Sequence, residues 1–230
     1  MLIALDVETT GLLESDVICS LGFVGFGDDG LEEITHYTLA NEGKKIPPKA
    51  SSIHHITNEM IKDAPALKAT EAYQFLQTHN TKETVFIGHS IGFDLGMLYC
   101  AGFEFVGQSI DTLRCARHLI KECESYSLQF LRYELKLYKV KTQFFAHHAL
   151  GDALLVKLLY EYLLELAPHE KLLELSTQKV LLEKFEFGKY SGRYIEEISM
   201  IDRAYLEWMI HTIVDLDEDL RYSIDYYLQG

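Results

Sequence analysis

Met1-Leu2-Ile3-Ala4-Leu5-Asp6-Val7-Glu8-Thr9-Thr10-Gly11 opens the chain, and its reading decides the fold. The apolar run up to Asp6 has the character of a buried central strand. Side chains alternate faces along a strand, so Asp6 and Glu8 point the same way. Two carboxylates side by side on a buried face repel each other and need a compensating charge. Divalent cations held by oxygen ligands supply one. The same pattern also suits a strand end fraying into solvent with both acids hydrated. The pair alone settles nothing, and the remaining ligands must come from further along the chain.

Working outward, the 230 residues suffice for one sizeable domain and a small appendage. A hydrophobic fraction of 48% with 24% charged residues marks a globular chain. No apolar run approaches the roughly 18 residues of a membrane span, and no cleavable leader precedes the first strand. The expectation is a cytoplasmic protein with no membrane partner. Cys19, Cys100, Cys115 and Cys123 form no C-x-x-C pair and read as reduced, mostly packing thiols. A net charge of −14 excludes a generic basic nucleic-acid binder. Any contact with nucleic acid must be local, at a strand end rather than along a groove.

Residues 17–26 and 33–39 read as two strands joined by the turn signal Gly27-Asp28-Asp29-Gly30, which makes a three-strand antiparallel meander with the first strand. Residues 50–61 are helical in two pieces broken at Thr57. Residues 69–78 form an amphipathic helix with Ala72, Phe75 and Leu76 inward. A strand at 84–89 lies parallel to the first because a helix precedes it. A helix over 91–100, a strand at 109–112, and helices over 113–121 and 127–135 come next. Residues 139–145 read as a loop, and 149–166 as a long helix ended by Ala167-Pro168. A meander followed by strand–helix alternation means α/β with a mixed sheet. Beyond Pro168 come a short helix at 170–175, a strand–glycine turn–strand at 185–195, and helices over 203–212 and 217–228. Asp202 is read as an N-cap, and the acidic run at 215–219 as a solvated helix start. The boundaries are therefore 1–167 for the main domain and 168–230 for a small α+β appendage.

Three further segments offer ligands. Asp94 stands near a helix start in Gly88-His89-Ser90-Ile91-Gly92-Phe93-Asp94, where an acid alone reads as a cap. Asp111 at a strand–helix junction is best read as a cap. His147-His148-Ala149-Leu150-Gly151-Asp152 sets an acid at a helix start with two histidines before it.

Taken together and in this order, these segments resemble the DEDDh family of 3′–5′ exonucleases, which includes the proofreading epsilon subunit of the bacterial replicative polymerase, RNase T and oligoribonuclease. The matching stretches are Asp6-Val7-Glu8-Thr9-Thr10-Gly11, Ile53-His54-His55-Ile56-Thr57, Gly88-His89-Ser90 with Phe93-Asp94, and His147 with Asp152. The resemblance covers about residues 1–166 and implies a ribonuclease H-like fold with a mixed five-stranded sheet flanked by helices. It implies Asp6, Glu8, Asp94 and Asp152 as metal-binding carboxylates and His147 as general base. His148 is the rival, and the family's four-residue spacing before the last Asp selects His147. Thr9, Thr10, Gly11, His54, His89 and Phe93 are the implied contacts to the terminal nucleotide. The family usually has glycine where His55 stands, and Asn is common where Ser90 stands.

The resemblance further implies a two-metal hydrolysis of terminal phosphodiester bonds with Mg²⁺ or Mn²⁺, suited to hard oxygen ligands. Imidazole is the side chain that exchanges a proton near neutral pH. The expected reaction releases nucleoside 5′-monophosphates from a nucleic-acid 3′ end, with single-stranded DNA as first substrate. An RNA-trimming enzyme and a polymerase-associated proofreader are the alternatives, and a non-catalytic scaffold is disfavoured by the complete tetrad. Polymerase association is left open, as is a monomer or homodimer. Phe187-Gly188-Lys189-Tyr190-Ser191-Gly192-Arg193 with Tyr205-Leu206-Glu207-Trp208 resembles a small module found after some bacterial exonuclease domains. It is read as a hairpin on two helices with Tyr205 and Trp208 in its core, Lys189 and Arg193 being candidate phosphate contacts.

Overall fold

The chain's first strand, β1 (Leu2–Thr9), lies at the centre of a five-stranded sheet of order β3-β2-β1-β4-β5. The computed structural model describes residues 1–27, 33–140, 146–213 and 216–229. β2 (Ile18–Phe26) and β3 (Ile34–Leu39) continue the sheet antiparallel on one side. β4 (Val85–Gly88) and β5 (Gln108–Asp111) continue it parallel on the other. This is the mixed, ribonuclease H-like sheet expected. The turn predicted at 27–30 falls largely outside the described residues, as does most of the loop at 139–145.

The helices are α1 (Pro48–His54), α2 (Asn58–Ile61), α3 (Glu71–Thr78), α4 (Ile91–Cys100), α5 (Thr112–Leu119), α6 (Leu128–Glu134), α7 (Ala149–Leu166), α8 (His169–Thr177), α9 (Ile195–Ile201), α10 (Arg203–Thr212) and α11 (Glu218–Gln229). Thr57 breaks the 50–61 stretch as expected, because its hydroxyl accepts the Met60 N–H and starts α2.

The period-two pattern of β1 builds two cores. Ile3, Leu5 and Val7 face a cluster with Leu76, Phe86, Leu98 and Phe103, while Ala4 faces one with Ile87, Ile110, Val156, Leu159 and Leu163. α7 packs its stripe of Val156, Leu159 and Leu163 on this second face. Asp6 and Glu8 continue the Ala4 side of β1, and Asp152 lies one turn before Val156 on α7. Both apolar surfaces therefore turn into acids at the same end of the sheet. Their approach depends on Gly22, which pairs with Asp6 across the β1/β2 ladder. A Cβ at Gly22 would run into the backbone of Ala149 and Leu150, in the first turn of α7.

The C-terminal part departs from expectation in five ways, the first being that residues 195–201, where no helix is expected, form α9. The strand pair at 185–195 is reduced to two isolated bridges, Lys184 to Tyr194 and Phe185 to Ser191. Gly188 and Gly192, both at φ 80, wind the chain back before a ladder can form. Trp208 is 50% exposed, and Leu206 and Met209 fill the core with Phe185, Ile195, Ile198 and Ile224. Asp202 makes no cap bond, because its carboxylate is taken by Lys189 Nζ at 2.9 Å and Tyr190 Oη at 2.6 Å. Asp219, expected in solvent, is buried and accepts the Val180 N–H at 3.0 Å, with Arg114 at 3.5 Å and Arg117 at 3.6 Å.

Two substitutions test this account. Gly22→Ala is expected to cost about 2 kcal/mol or more of stability through backbone overpacking and to depress activity by displacing Asp152; denaturant unfolding and turnover check it. His55 closes α1 at φ 62, the left-handed region that suits glycine. His55→Gly is expected to raise stability by about 0.5–1 kcal/mol, read as a higher Tm.

Candidate active site

Oxygens of Asp6, Glu8 and Asp152 come within 4.8 Å of one another at the C-terminal end of β1. β1 pairs with β4 only over Leu2–Ala4, so the Val7 N–H has no ladder partner on that side. Asp94, in the first turn of α4, accepts it at 3.0 Å and is buried there. A fourth acid is thus tied to the strand between the first two.

For each of these groups burial is the largest influence, and it opposes the charge. Asp6 is pushed well above the usual carboxylate range, first by burial and then by Asp94, Glu8 and Asp152. Burial, with Asp152 next, raises Glu8 to about 7. Burial also raises Asp94 to about 8, against the opposing pull of the Val7 N–H. Asp152 is raised by burial too, although the His147 N–H bonds one oxygen at 2.8 Å and Gln129 Nε2 the other at 2.6 Å. Asp111 stands apart as the cap of α5, accepting from the N–H groups of Leu113, Arg114 and Ser90.

The two neighbouring histidines have different surroundings. His148 caps α7, its Nδ1 accepting the Gly151 N–H, and its ring stacks on Tyr37 at 4.3 Å. His147 is exposed, holds a left-handed backbone at φ 56, and is near enough to act electrostatically on Asp152 and His54. Its backbone is strapped to the acid cluster while its ring faces solvent.

The remaining sequence-selected residues form a frame around the cluster. His54 Nδ1 accepts the Ile56 N–H at 3.0 Å, which leaves the proton on Nε2 to donate to the Thr9 carbonyl at 3.2 Å. Burial holds its pKa below the ordinary histidine value. His89 Nε2 bonds the Tyr126 carbonyl at 2.8 Å and Nδ1 faces the Thr112 hydroxyl at 3.0 Å; burial lowers this ring to about 4. Both histidines commit their nitrogens to protein and hold strand ends in place. Thr9 Oγ1 donates to the Gly11 carbonyl, and Thr10 Oγ1 to Asp16, which Lys44 pairs at 2.7 Å. A Cβ at Gly11 would displace the Asp16 carboxylate from its present position. Phe93 is partly buried against the first core.

Two features escaped the sequence reading. Gln129 belongs to no motif, and nothing in its neighbours signals a contact 23 residues away. Leu12 and Leu13, 81% and 69% exposed, come directly after Gly11; an apolar pair inside a polar loop is a signal that was present.

Comparison with known proteins agrees with this geometry. The exonuclease family model matches residues 3–160. A model described as exodeoxyribonuclease X-like C-terminal matches residues 185–213. Exodeoxyribonuclease 10 of Escherichia coli strain K12 is 27% identical over 237 residues, covering all of both chains. The DNA polymerase III subunit epsilon of Treponema pallidum is 31% identical over 161 residues, covering 65% of this chain and 70% of that protein. Exonuclease X, solved in complex with 5′ overhanging duplex DNA, superposes with a TM-score of 0.62 at 26% identity, covering 76% of this chain and 99% of that one. With the family matched across the sheet, the four acids and the histidine strap, the chain belongs to the exonuclease family, as a 3′–5′ exonuclease of the DEDDh type.

Proposed function

We propose that this chain removes nucleoside 5′-monophosphates one at a time from the 3′ end of DNA, with single strands as first substrate. The observation that carries the reading is the convergence of Asp6, Glu8 and Asp152 within 4.8 Å, with Asp94 tied to the same strand. The similarity to exodeoxyribonuclease 10 over the whole length favours DNA over RNA. The epsilon relative supports proofreading as the second reading.

The donor set fits a pair of hard divalent ions. It offers carboxylate oxygens only, and the dominant influences on Asp6 all oppose its ionisation. Asp6, Glu8, Asp94 and Asp152 would hold Mg²⁺ or Mn²⁺. When bound, such ions make water nucleophilic at neutral pH and stabilise the leaving oxygen. The chain's own contribution is to hold the acids at fixed separation, through Gly22, the Val7 N–H and Gln129. The exposed His147 ring takes the proton of the attacking water. Water adds to phosphorus, the bond to the 3′ oxygen breaks, and that oxygen takes its proton from solvent. Leu12 and Leu13, which follow β1 in sequence, offer exposed apolar surface for the terminal base, in a loop held by Asp16 and Lys44.

Incubation of 5′-labelled single-stranded DNA and RNA with Mg²⁺, Mn²⁺ or EDTA tests the assignment. Ladders shortened from the 3′ end, lost in EDTA, are expected. Asp6→Asn is expected to abolish turnover and His147→Ala to lower kcat by about 10²–10⁴-fold. No turnover of either nucleic acid with metal present would overturn the reading.

The acids also predict a pH signature. Glu8 and Asp94 hold protons in the folded chain up to about 7 and 8, whereas unfolded carboxylates lose theirs near 4. The folded state therefore binds more protons across this window, and stability of the metal-free chain falls as pH rises through it. Added Mn²⁺ should raise Tm more at pH 8 than at pH 5, because it competes with those protons. A Tm unaffected by metal at either pH would contradict the ligand assignment.

A further inference from the structure

The chain between the two contacts to Asp152 differs in character from the rest of the molecule. Gln129 at the start of α6 and the His147 N–H each bond one oxygen of that acid. Between them, residues 129–140 carry Arg132, Lys136 and Lys139 against Glu134 alone, in a protein of net charge −14. Two tyrosines interleave with these cations and face solvent, Tyr133 at 63% exposure and Tyr138 at 45%. Their rings lie 5.7 Å apart, inclined by 35°. Arg132 sits over the Tyr133 ring at 5.6 Å. The ammonium groups of Lys136 and Lys139 are exposed, and among the described residues no carboxylate pairs with either.

Exposed aromatic faces alternating with these two lysines form a surface suited to a single nucleic-acid strand. Bases stack on the rings, and phosphates meet the cations. Other surfaces fit less well. On the C-terminal glycine loop, Lys189 is held by Asp202 and Arg193 by Glu197. The cleft of about 530 Å³ between residues 117–130 and 180–192 is lined by more carboxylates than cations.

We propose that Tyr133, Lys136, Tyr138 and Lys139 form the track on which the substrate strand runs as it leaves the carboxylate cluster. The inference rests on the reading that the cluster hydrolyses the 3′ end of a strand. All four residues follow Gln129 within ten positions of the chain, in the last turn of α6 and the turn after it, so the track begins where the chain touches Asp152. An acidic protein can in this way attract phosphate beside the chemistry through a local strip rather than through its net charge.

The test compares two substrates in Mn²⁺: a single-stranded DNA decanucleotide, and thymidine 5′-(4-nitrophenyl phosphate), a nucleotide ester with no strand attached. The readout is the ratio of their kcat/KM values. Tyr133→Ala/Tyr138→Ala is expected to lower this ratio about tenfold or more through a raised KM for the decanucleotide. Tyr133→Phe/Tyr138→Phe should retain the wild-type ratio, since the ring face is kept. Lys136→Ala/Lys139→Ala should lower the ratio and flatten the salt dependence of log(kcat/KM) by roughly 1.4 in slope. Lys171→Ala, which removes a cation on α8 paired with Glu174, should leave both unchanged. A ratio and salt slope unaltered in the alanine pairs, with folding confirmed by circular dichroism, overturns the track. Failure of the wild-type protein to hydrolyse either substrate overturns the underlying nuclease reading instead.

Discussion

Mutual repulsion among four acids is the constraint to which the rest of this structure answers. Strand geometry makes Asp6 and Glu8 neighbours, and no conformational adjustment of β1 separates them without moving Ala4 off the core. Asp152 is carried in by α7, whose stripe of Val156, Leu159 and Leu163 packs on the sheet. Asp94 arrives through its bond to Val7. Each acid is held by packing or backbone hydrogen bonding that it cannot leave cheaply. The unfavourable charge is thereby concentrated at one end of the sheet, and two apolar clusters, one on each face, offset it.

The frame around the acids gives the histidines different surroundings. His54 and His89 have both nitrogens engaged and pKa values held down by burial, so they behave as fixed neutral struts. His148 is a helix cap. His147 alone combines an exposed ring with a backbone strapped to the acid cluster. In the sequence, only the family's spacing to Asp152 separates His147 from His148, and nothing there shows how His54 and His89 are held. Burial and hydrogen bonding divide them, and neither quantity is visible in one-dimensional spacing.

The same division separates what was legible from what was not. α4 and α7 are readable in the sequence to the residue, because their ends carry strong punctuation and their apolar positions keep a helical period. β1 and its acids are readable from period two. The C-terminal loop is not, since two left-handed glycines override the alternation of Phe185, Phe187 and Tyr190. Asp219 looked solvated because its run is acidic; its arginine partners lie about a hundred positions earlier on α5. Gln129 is likewise a long-range partner whose type announces nothing.

Those arginines show how the C-terminal part is tied to the rest. Its apolar cluster closes on itself, with Phe185, Ile195, Ile198, Leu206 and Ile224 packed together. Polar contacts through α5 link it to the sheet. At its N-terminal end, α5 holds the segment before α4: the Asp111 cap accepts the Ser90 N–H, and the Thr112 hydroxyl donates to the Gly88 carbonyl. Further along, Arg114 and Arg117 grip Asp219, and Arg117 also meets Glu186 at 3.0 Å. Buried ion pairs add little net stability once desolvation is counted, but they tolerate few alternative geometries. One eight-residue helix therefore fixes both the strand end that leads to Asp94 and the orientation of the C-terminal module, so that the placement of one constrains the other.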